Sequence, residues 1–404
     1  MISRILLAVV LASSVSPSQA QRLSPAQWEQ NFKRFDTDGD GKVTVSEAEK
    51  AGRNSGWIGQ ADQDGDKATS WEEVVAFLRS RMERPVDDPT AEPVVINGEI
   101  PKGTRLTREG IEAAAAYSAE QNGHSFLVAV DGRIVYERYD RGWAPELGHR
   151  LASGTKSFSG VLLAAAVQDE LLTVDEPVAK TITEWQEDER LAEITYRDLL
   201  SLTSGIEPGE NGRVPAYSEA AAVKSLSARG AKFRYGPNAF QVFGEALRRK
   251  LAARDDLAFE DPLAYLEARV LEPIGLSYTE WRRDRDGMPH LPSGAFLSAR
   301  EWSRFGLFLL EEGKWEGEPL VDTGTLAACL VGTEANPGYG LTFWLLEGTG
   351  RRKPGWAEGA YMAAGAGKQR LFVIPAYHAV VVRQGESRRF ENEVFLDKLF
   401  PEAE

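Results

Sequence analysis

Apolar and polar positions recur along this chain with several distinct periods, and the changes of period divide it into segments. An unbroken apolar run fills residues 5–12 behind Arg4, and Pro17-Ser18-Gln19-Ala20 ends in a small-x-small pattern. A positive start, an apolar centre and a cleavage pattern in that order predict a signal peptide over 1–20 and a mature start near Gln21. The run falls short of the ~20 residues a membrane-crossing helix needs, and no later stretch reaches that length, so no membrane span is expected. Trp28, Phe32 and Phe35 follow at helical spacing, as do Val74, Val75, Phe77 and Leu78. Beyond residue 81 the pattern breaks: Pro85, Pro89, Pro93 and Pro101 stand among Asp, Glu and Gly, which predicts a linker over 82–101 between a small module at 21–81 and a domain at 102–404.

The large region opens with an alanine-rich helical pattern over 107–121. Two strand-like runs, 125–130 and 133–139, then flank Asp131-Gly132, the pair favoured in a two-residue hairpin turn. The far end mirrors this, with β-branched runs at 370–374 and 379–383 and an amphipathic tail over 391–400. Helical patterns and Gly/Pro-rich loops fill the middle. Strands at both ends and helices between them predict an α+β domain: one antiparallel sheet flanked by helices, closed by the two termini, with a helical subdomain inserted.

Composition narrows the function. The 404 residues include 61 acidic and 47 basic ones, a net charge of −14, which repels a phosphate backbone and makes nucleic acid an unexpected partner. Cys329 is the single cysteine, so no intrachain disulfide or thiolate metal cluster can form. His124, His149, His290 and His378 are scattered without HExxH spacing, against a zinc hydrolase.

Residues 36–47, Asp-Thr-Asp-Gly-Asp-Gly-Lys-Val-Thr-Val-Ser-Glu, fit a twelve-residue EF-hand calcium loop. Asp36, Asp38 and Asp40 supply oxygens at places 1, 3 and 5, Lys42 a backbone carbonyl at 7, and Glu47 a bidentate carboxylate at 12, while Gly41 makes the sharp turn at 6. A second loop over 62–73 offers Asp62, Asp64, Asp66, the Ala68 carbonyl and Glu73, with Lys67 at the sixth place. That place favours φ > 0, which a non-glycine residue reaches at a steric cost, so the second loop is expected to bind more weakly. A small all-α EF-hand pair with structural Ca²⁺ is the expectation for 21–81, and no cofactor is expected for catalysis.

Ser153 and Lys156 begin a long apolar-periodic helix carrying Val161, Leu162, Ala165 and Ala166. At i and i+3 on its first turn the two side chains share a face, and the helix N-terminus favours a developing oxyanion. A serine hydroxyl needs a base before it attacks, and a lysine shielded from water, or a tyrosine beside it, can serve. G-x-S-x-G is absent, against an α/β-hydrolase triad.

With Ser153-Gly154-Thr155-Lys156 taken together with 169–178 (DELLTVDEPV), 196–206 (YRDLLSLTSGI) and 233–238 (FRYGPN), residues 105–400 resemble the penicillin-recognising serine hydrolase superfamily. The resemblance is greatest to its class C branch, which includes D-alanyl-D-alanine carboxypeptidases, family VIII esterases and 6-aminohexanoate-dimer hydrolases. It implies a β-lactamase/transpeptidase-like fold, Ser153 as nucleophile, Lys156 and Tyr235 as the proton-handling pair, and a peptide-like or small-molecule ester or amide as substrate. Pro237 stands at the family's asparagine place and Asn238 one residue later, so Asn238 is the candidate for substrate contact. The third motif, usually K-T-G or H-x-G, reads Ala363-Ala364-Gly365-Ala366-Gly367-Lys368-Gln369. An N–H from Gly365, Ala366 or Gly367 is expected to join that of Ser153 as an oxyanion hole. With no cation at Ala363, and Lys368 and Arg370 further along what reads as the same strand, neutral substrates are expected to be preferred. Two readings follow for the whole chain: an exported, periplasmic or extracellular serine hydrolase, or a calcium-binding protein that keeps the fold for peptidoglycan or protein binding without turnover.

Overall fold

The computed structural model describes residues 32–50, 66–71, 73, 87–346 and 354–401, in two compact units that divide after Pro85. The expected signal peptide at 1–20, Trp28, Asp62, Asp64, Val74, Val75, Phe77 and Leu78 lie outside the described residues.

In the first unit, Lys42–Thr44 and Ala68–Ser70 pair antiparallel with Val43 opposite Thr69, which joins the eighth places of the two acidic loops. Gly41 and Lys67, the two sixth places, have φ of 85° and 69°. The lysine therefore takes up the left-handed conformation whose cost the sequence pointed to. Phe32 and Phe35 are buried, and the Phe32 ring lies 5.4 Å from that of Trp71.

The second unit is built on a seven-stranded antiparallel sheet. Its strands are β1 (Val94–Asn97), β2 (Gly123–Val130), β3 (Arg133–Tyr139), β4 (Trp344–Leu345), β5 (Tyr361–Gly365), β6 (Gln369–Ile374) and β7 (Ala379–Gly385), in the order β4-β5-β6-β7-β2-β3-β1. The order places β2 beside β7, so strands from the two ends of the domain close the sheet as expected. Asp131 and Gly132 both sit at φ > 0, 48° and 74°, as a hairpin turn matching the strand twist requires. One element corrects the linker: β1, inside 82–101, pairs with β3 through Val94 opposite Tyr139. Its β-branched run directly follows Pro93, and prolines that read as linker here mark the start of an edge strand, where a missing N–H costs nothing.

Both faces of this sheet are covered. Helices α1 (Arg108–Glu120) and α5 (Asn392–Leu399) lie over one face, where Ile111, Phe395 and Leu399 pack on Phe126, Val128, Phe372 and Val381. On the other face Leu127, Ala129, Leu371 and Val380 join a larger core with α2 (Ser157–Gln168), α3 (Asn238–Ala252) and α4 (Ala299–Leu310). All eight residues of β2 are buried as a result, and each large side chain so covered contributes roughly 1.5–3 kcal/mol, against ~1 kcal/mol net for a typical hydrogen bond. Apolar packing therefore decides the placement of the layers.

Residues 140–343, between β3 and β4, form the insertion. It holds α2, α3 and α4 but is not purely helical: His149–Arg150, Ala295–Leu297 and Glu280–Trp281 make a small antiparallel sheet. Within it, Thr195 and Asp198 form a capping box on the short helix Tyr196–Leu200. The buried Asp198 carboxylate accepts from the Thr195 N–H at 2.9 Å, the Thr195 hydroxyl at 2.7 Å and Arg229 Nε at 2.6 Å. Asp198→Ala strands two buried donors, and a loss of about 2 to 4 kcal/mol is expected in urea unfolding. A loss below about 0.5 kcal/mol refutes the role of this cap.

Candidate active site

Strand His149–Arg150 is paired to Phe296 and Leu297, and the chain leaves it through a sharp turn in which Ala152 adopts φ 49°. Residues Ala152–Lys156 then form a 3₁₀ helix that runs into α2, where the sequence pattern predicted the first turn of a single α-helix. The tighter winding has a chemical consequence. In a 3₁₀ helix i and i+3 side chains eclipse, so Lys156 stands directly over Ser153, with Nζ donating to Ser153 Oγ at 3.3 Å. Thr155 locks the turn: its hydroxyl donates to Ala152 O at 2.8 Å and accepts from Ala295 N at 3.2 Å.

Lys156 is 4% exposed. Its second hydrogen bond goes to Pro292 O at 3.0 Å, and its Nζ lies 4.9 Å and 5.2 Å from the ring centroids of Tyr235 and Phe240. Burial alone draws its pKa down to about 7, with no charged neighbour contributing. A free amine is thus accessible at neutral pH. Tyr235 is shifted the opposite way: burial raises its pKa, while interaction with the Ser153 hydroxyl and the charge of Arg370 oppose the rise.

Ser153, Lys156 and Tyr235 all open on one cavity of about 680 Å³. Gly365 and Ala366 form the facing wall. A Cβ on Gly365 would lie 2.0 Å from Leu151 O, so only glycine lets the end of β5 come this close to the turn that carries Ser153.

Three sequence expectations change. Asn238 does not reach the cavity: it begins α3 and its Nδ2 donates to Glu207 O at 3.0 Å, because the extra residue, Pro237, rotates it off the wall and takes that place. Gly367 also lies off the wall; its carbonyl accepts from Arg383 Nη1 and from Ser387 N. Ala363 packs into the core, whereas Met362 and Ala364 line the cavity.

The missing-cation expectation falls with it. Residues 366–368 are a turn, not strand, so β5 and β6 are antiparallel partners and Arg370 lies opposite Ala364. What reads as one strand is a hairpin, and it folds Arg370 back beside Ala364. Arg370, 8% exposed, lines the cavity. Its Nε donates to Asn392 Oδ1 at 2.9 Å and its Nη1 to Gln369 O at 2.8 Å and Gly365 O at 3.2 Å, which leaves Nη2 without a hydrogen bond among the described residues. Arg150 is a second cation on the wall, and among the described residues no carboxylate lines the cavity, in a chain of net charge −14. Trp344 and Met362 add an apolar side. Arg150 has no signal in the sequence beyond its charge, and Arg370 is marked only by its place on the strand run after Ala363, since pairing across strands decides which of them faces the site.

Among solved structures the chain is similar to EstCE1, a hydrolase with promiscuous acyltransferase activity, at 16% identity over 72% of this chain and 99% of that one, with a TM-score of 0.58. It is similar to a penicillin-binding protein homologue from Caulobacter crescentus at 17% identity, 73% and 94% coverage and a TM-score of 0.56. A class C beta-lactamase from Rhodobacter sphaeroides gives 16% identity, 71% and 98% coverage and a TM-score of 0.53. These likenesses are of fold. No curated protein matches the sequence. The beta-lactamase family matches residues 109–385, well over half of the chain and the whole span from Ser153 to Arg370; this chain belongs to that family.

Proposed function

We propose that this protein is an exported serine hydrolase that works through an acyl-enzyme on an ester or amide carrying an anionic group, with a structural calcium site in its N-terminal unit. The observation that carries the catalytic part is Ser153 Oγ held 3.3 Å from a buried lysine amine that has no charged neighbour among the described residues. In this reading Ser153 Oγ attacks the substrate carbonyl carbon as its proton passes to neutral Lys156 Nζ. The oxyanion is received by the N–H groups of Ser153 and Ala366. Tyr235, which burial keeps protonated, and the Lys156 ammonium return a proton to the leaving group, and water then releases the acyl group with the same pair acting in reverse. Arg370 Nη2 is the donor available to a substrate carboxylate, and Trp344 and Met362 suit an apolar acyl or leaving group. The non-catalytic reading has no observation in its favour.

For calcium, ligand oxygens of Asp36, Asp38 and Asp40 lie within 4.8 Å of one another. The buried Glu47 is oriented by the Thr37 and Thr44 N–H groups at 2.9 Å each. These residues fit the ion: the three aspartates, Glu47 and the Lys42 carbonyl would hold it, with Asp66, Ala68 and Glu73 serving the second loop beside Asp62 and Asp64. Bound calcium would neutralise this carboxylate cluster and brace the paired strands. The export reading rests on the leader at 1–20.

Ser153→Ala is expected to abolish ester turnover and fluorophosphonate labelling; label on another residue, or undiminished turnover, rejects the assignment. Because an ammonium cannot accept a proton, kcat/KM is expected to rise with pH through about 7 as Lys156 deprotonates, then level. A profile flat between pH 5 and 8 refutes Lys156 as the base.

A p-nitrophenyl ester with a terminal carboxylate is expected to exceed its neutral isostere in kcat/KM by about tenfold to a hundredfold, as a charge-assisted contact of ~1.5–3 kcal/mol gives. Arg370→Met is expected to erase that ratio. A ratio near one in the native protein refutes the anionic substrate.

Calcium is expected to raise the melting temperature of the N-terminal unit, and Asp36→Ala with Glu47→Ala to remove the gain without lowering kcat. Loss of turnover on chelation while the catalytic domain stays folded makes the site regulatory instead.

A further inference from the structure

Arg383, on β7, is fully buried, and its hydrogen bonds all go to backbone carbonyls: Nη1 to Gly367 O and Lys368 O at 2.9 Å each, and Nη2 to Gln121 O at 2.7 Å. Its guanidinium carbon lies 4.7 Å from the Phe390 ring centroid. Among the described residues no carboxylate hydrogen-bonds this buried cation, and Glu386 offsets its burial only through its charge; such a cation is costly to keep, and an apolar residue would fill the same place at lower cost. The two carbonyls it grips belong to an unusual turn. Gly367 and the non-glycine Lys368 are consecutive residues at φ 77° and 65°, a conformation that persists only where its surroundings hold it. Gln369 pins the next residue, its Nε2 donating to Gly385 O at 2.5 Å and its Oε1 accepting from Gly385 N at 3.1 Å. Directly before these two residues, of which Lys368 alone takes its positive φ at a steric cost, stands Ala366, on the cavity wall with Ser153.

We propose that Arg383 is a positioning residue for the oxyanion site: by clamping the carbonyls of Gly367 and Lys368 to the end of α1, it holds the left-handed turn that aims the Ala366 N–H at the carbonyl oxygen of the substrate. The guanidinium touches neither substrate nor Ser153 and acts through the backbone. This role rests on the acyl-enzyme reading above. It requires that loss of the clamp weaken stabilisation of the transition state while ground-state binding and the Lys156 amine stay as they are.

The test measures kcat, KM and the pH profile of the full mature chain on a p-nitrophenyl ester, for the native protein, Arg383→Met, Arg383→Lys, Lys368→Gly and the double variant Arg383→Met/Lys368→Gly. In Arg383→Met, kcat is expected to fall about 10- to 100-fold, with KM within about twofold and the acid limb still near pH 7. Lys368→Gly alone is expected to leave kcat within about twofold. In the double variant it should restore much of kcat, because glycine holds φ > 0 without a clamp. A rescue of this kind is not available to a residue that merely stabilises the core. If Arg383→Met fails to fold, Arg383→Lys decides, since it keeps the charge and loses the fork that grips two carbonyls; the same loss of kcat is expected. Folded variants with unchanged kcat, or a loss that Lys368→Gly does not repair, overturn the role of Arg383. A native chain that neither turns over esters nor takes up fluorophosphonate overturns the hydrolase reading, and this one with it.

Discussion

Taking the Lys156 amine out of water, with no counter-charge among the described residues, is the constraint around which the second unit is arranged. A pKa drawn from 10.5 to about 7 by burial alone corresponds to several kcal/mol of unfavourable desolvation for the ammonium. A neighbouring carboxylate would remove the penalty and with it the free amine at neutral pH, because the amine would then stay protonated. The wall around Nζ is accordingly built of a backbone carbonyl, a serine hydroxyl and two aromatic rings. These groups can accept or shield an amine in either protonation state without fixing it as a cation. The large apolar core behind α2 supplies the low-dielectric surroundings that make the shift possible.

Two short turns meet at the cavity, and both are strained. Ala152 at φ 49° opens the turn that carries Ser153, and Gly367 and Lys368 at φ 77° and 65° close the hairpin between β5 and β6. Each is held from outside by buried polar groups: Thr155 bridges the first to the small sheet, and Arg383 and Gln369 tie the second to β7. The two turns nearly touch, since Gly365 leaves no room for a side chain against Leu151 O. The seven-stranded sheet provides rigid ground for this contact, and its burial on both faces leaves little freedom for either turn to drift.

Charge follows the same division of labour. The protein carries −14 overall, yet the cavity wall presents Arg150 and Arg370 and, among the described residues, no carboxylate. Acidic side chains of the catalytic unit are engaged away from it, as Glu245 is with Arg248 and Arg249, Asp169 with Arg269 and Glu137 with Arg300. A field of opposite sign to the rest of the surface concentrates anions at the site, which joins the electrostatics of the cavity to the kind of substrate proposed for it.

Local patterns were enough to determine a good part of this. Ser153 and Lys156 three residues apart, the Asp131-Gly132 hairpin, the strand runs at both ends of the domain and the φ > 0 demanded at Gly41 and Lys67 depend on interactions within a few residues, so the sequence by itself settles them. It settles neither register nor face. Whether Lys156 follows Ser153 on an α or a 3₁₀ turn depends on Thr155 meeting a strand some 140 residues away. Val94–Asn97 becomes a strand because β3 offers it a free edge. Asn238 leaves the site, and Arg370 enters it, because a one-residue offset or a tight hairpin reverses which side of an element a side chain occupies. Periodicity records that faces exist, and only the packing of distant segments on both sides of the sheet decides what each face meets.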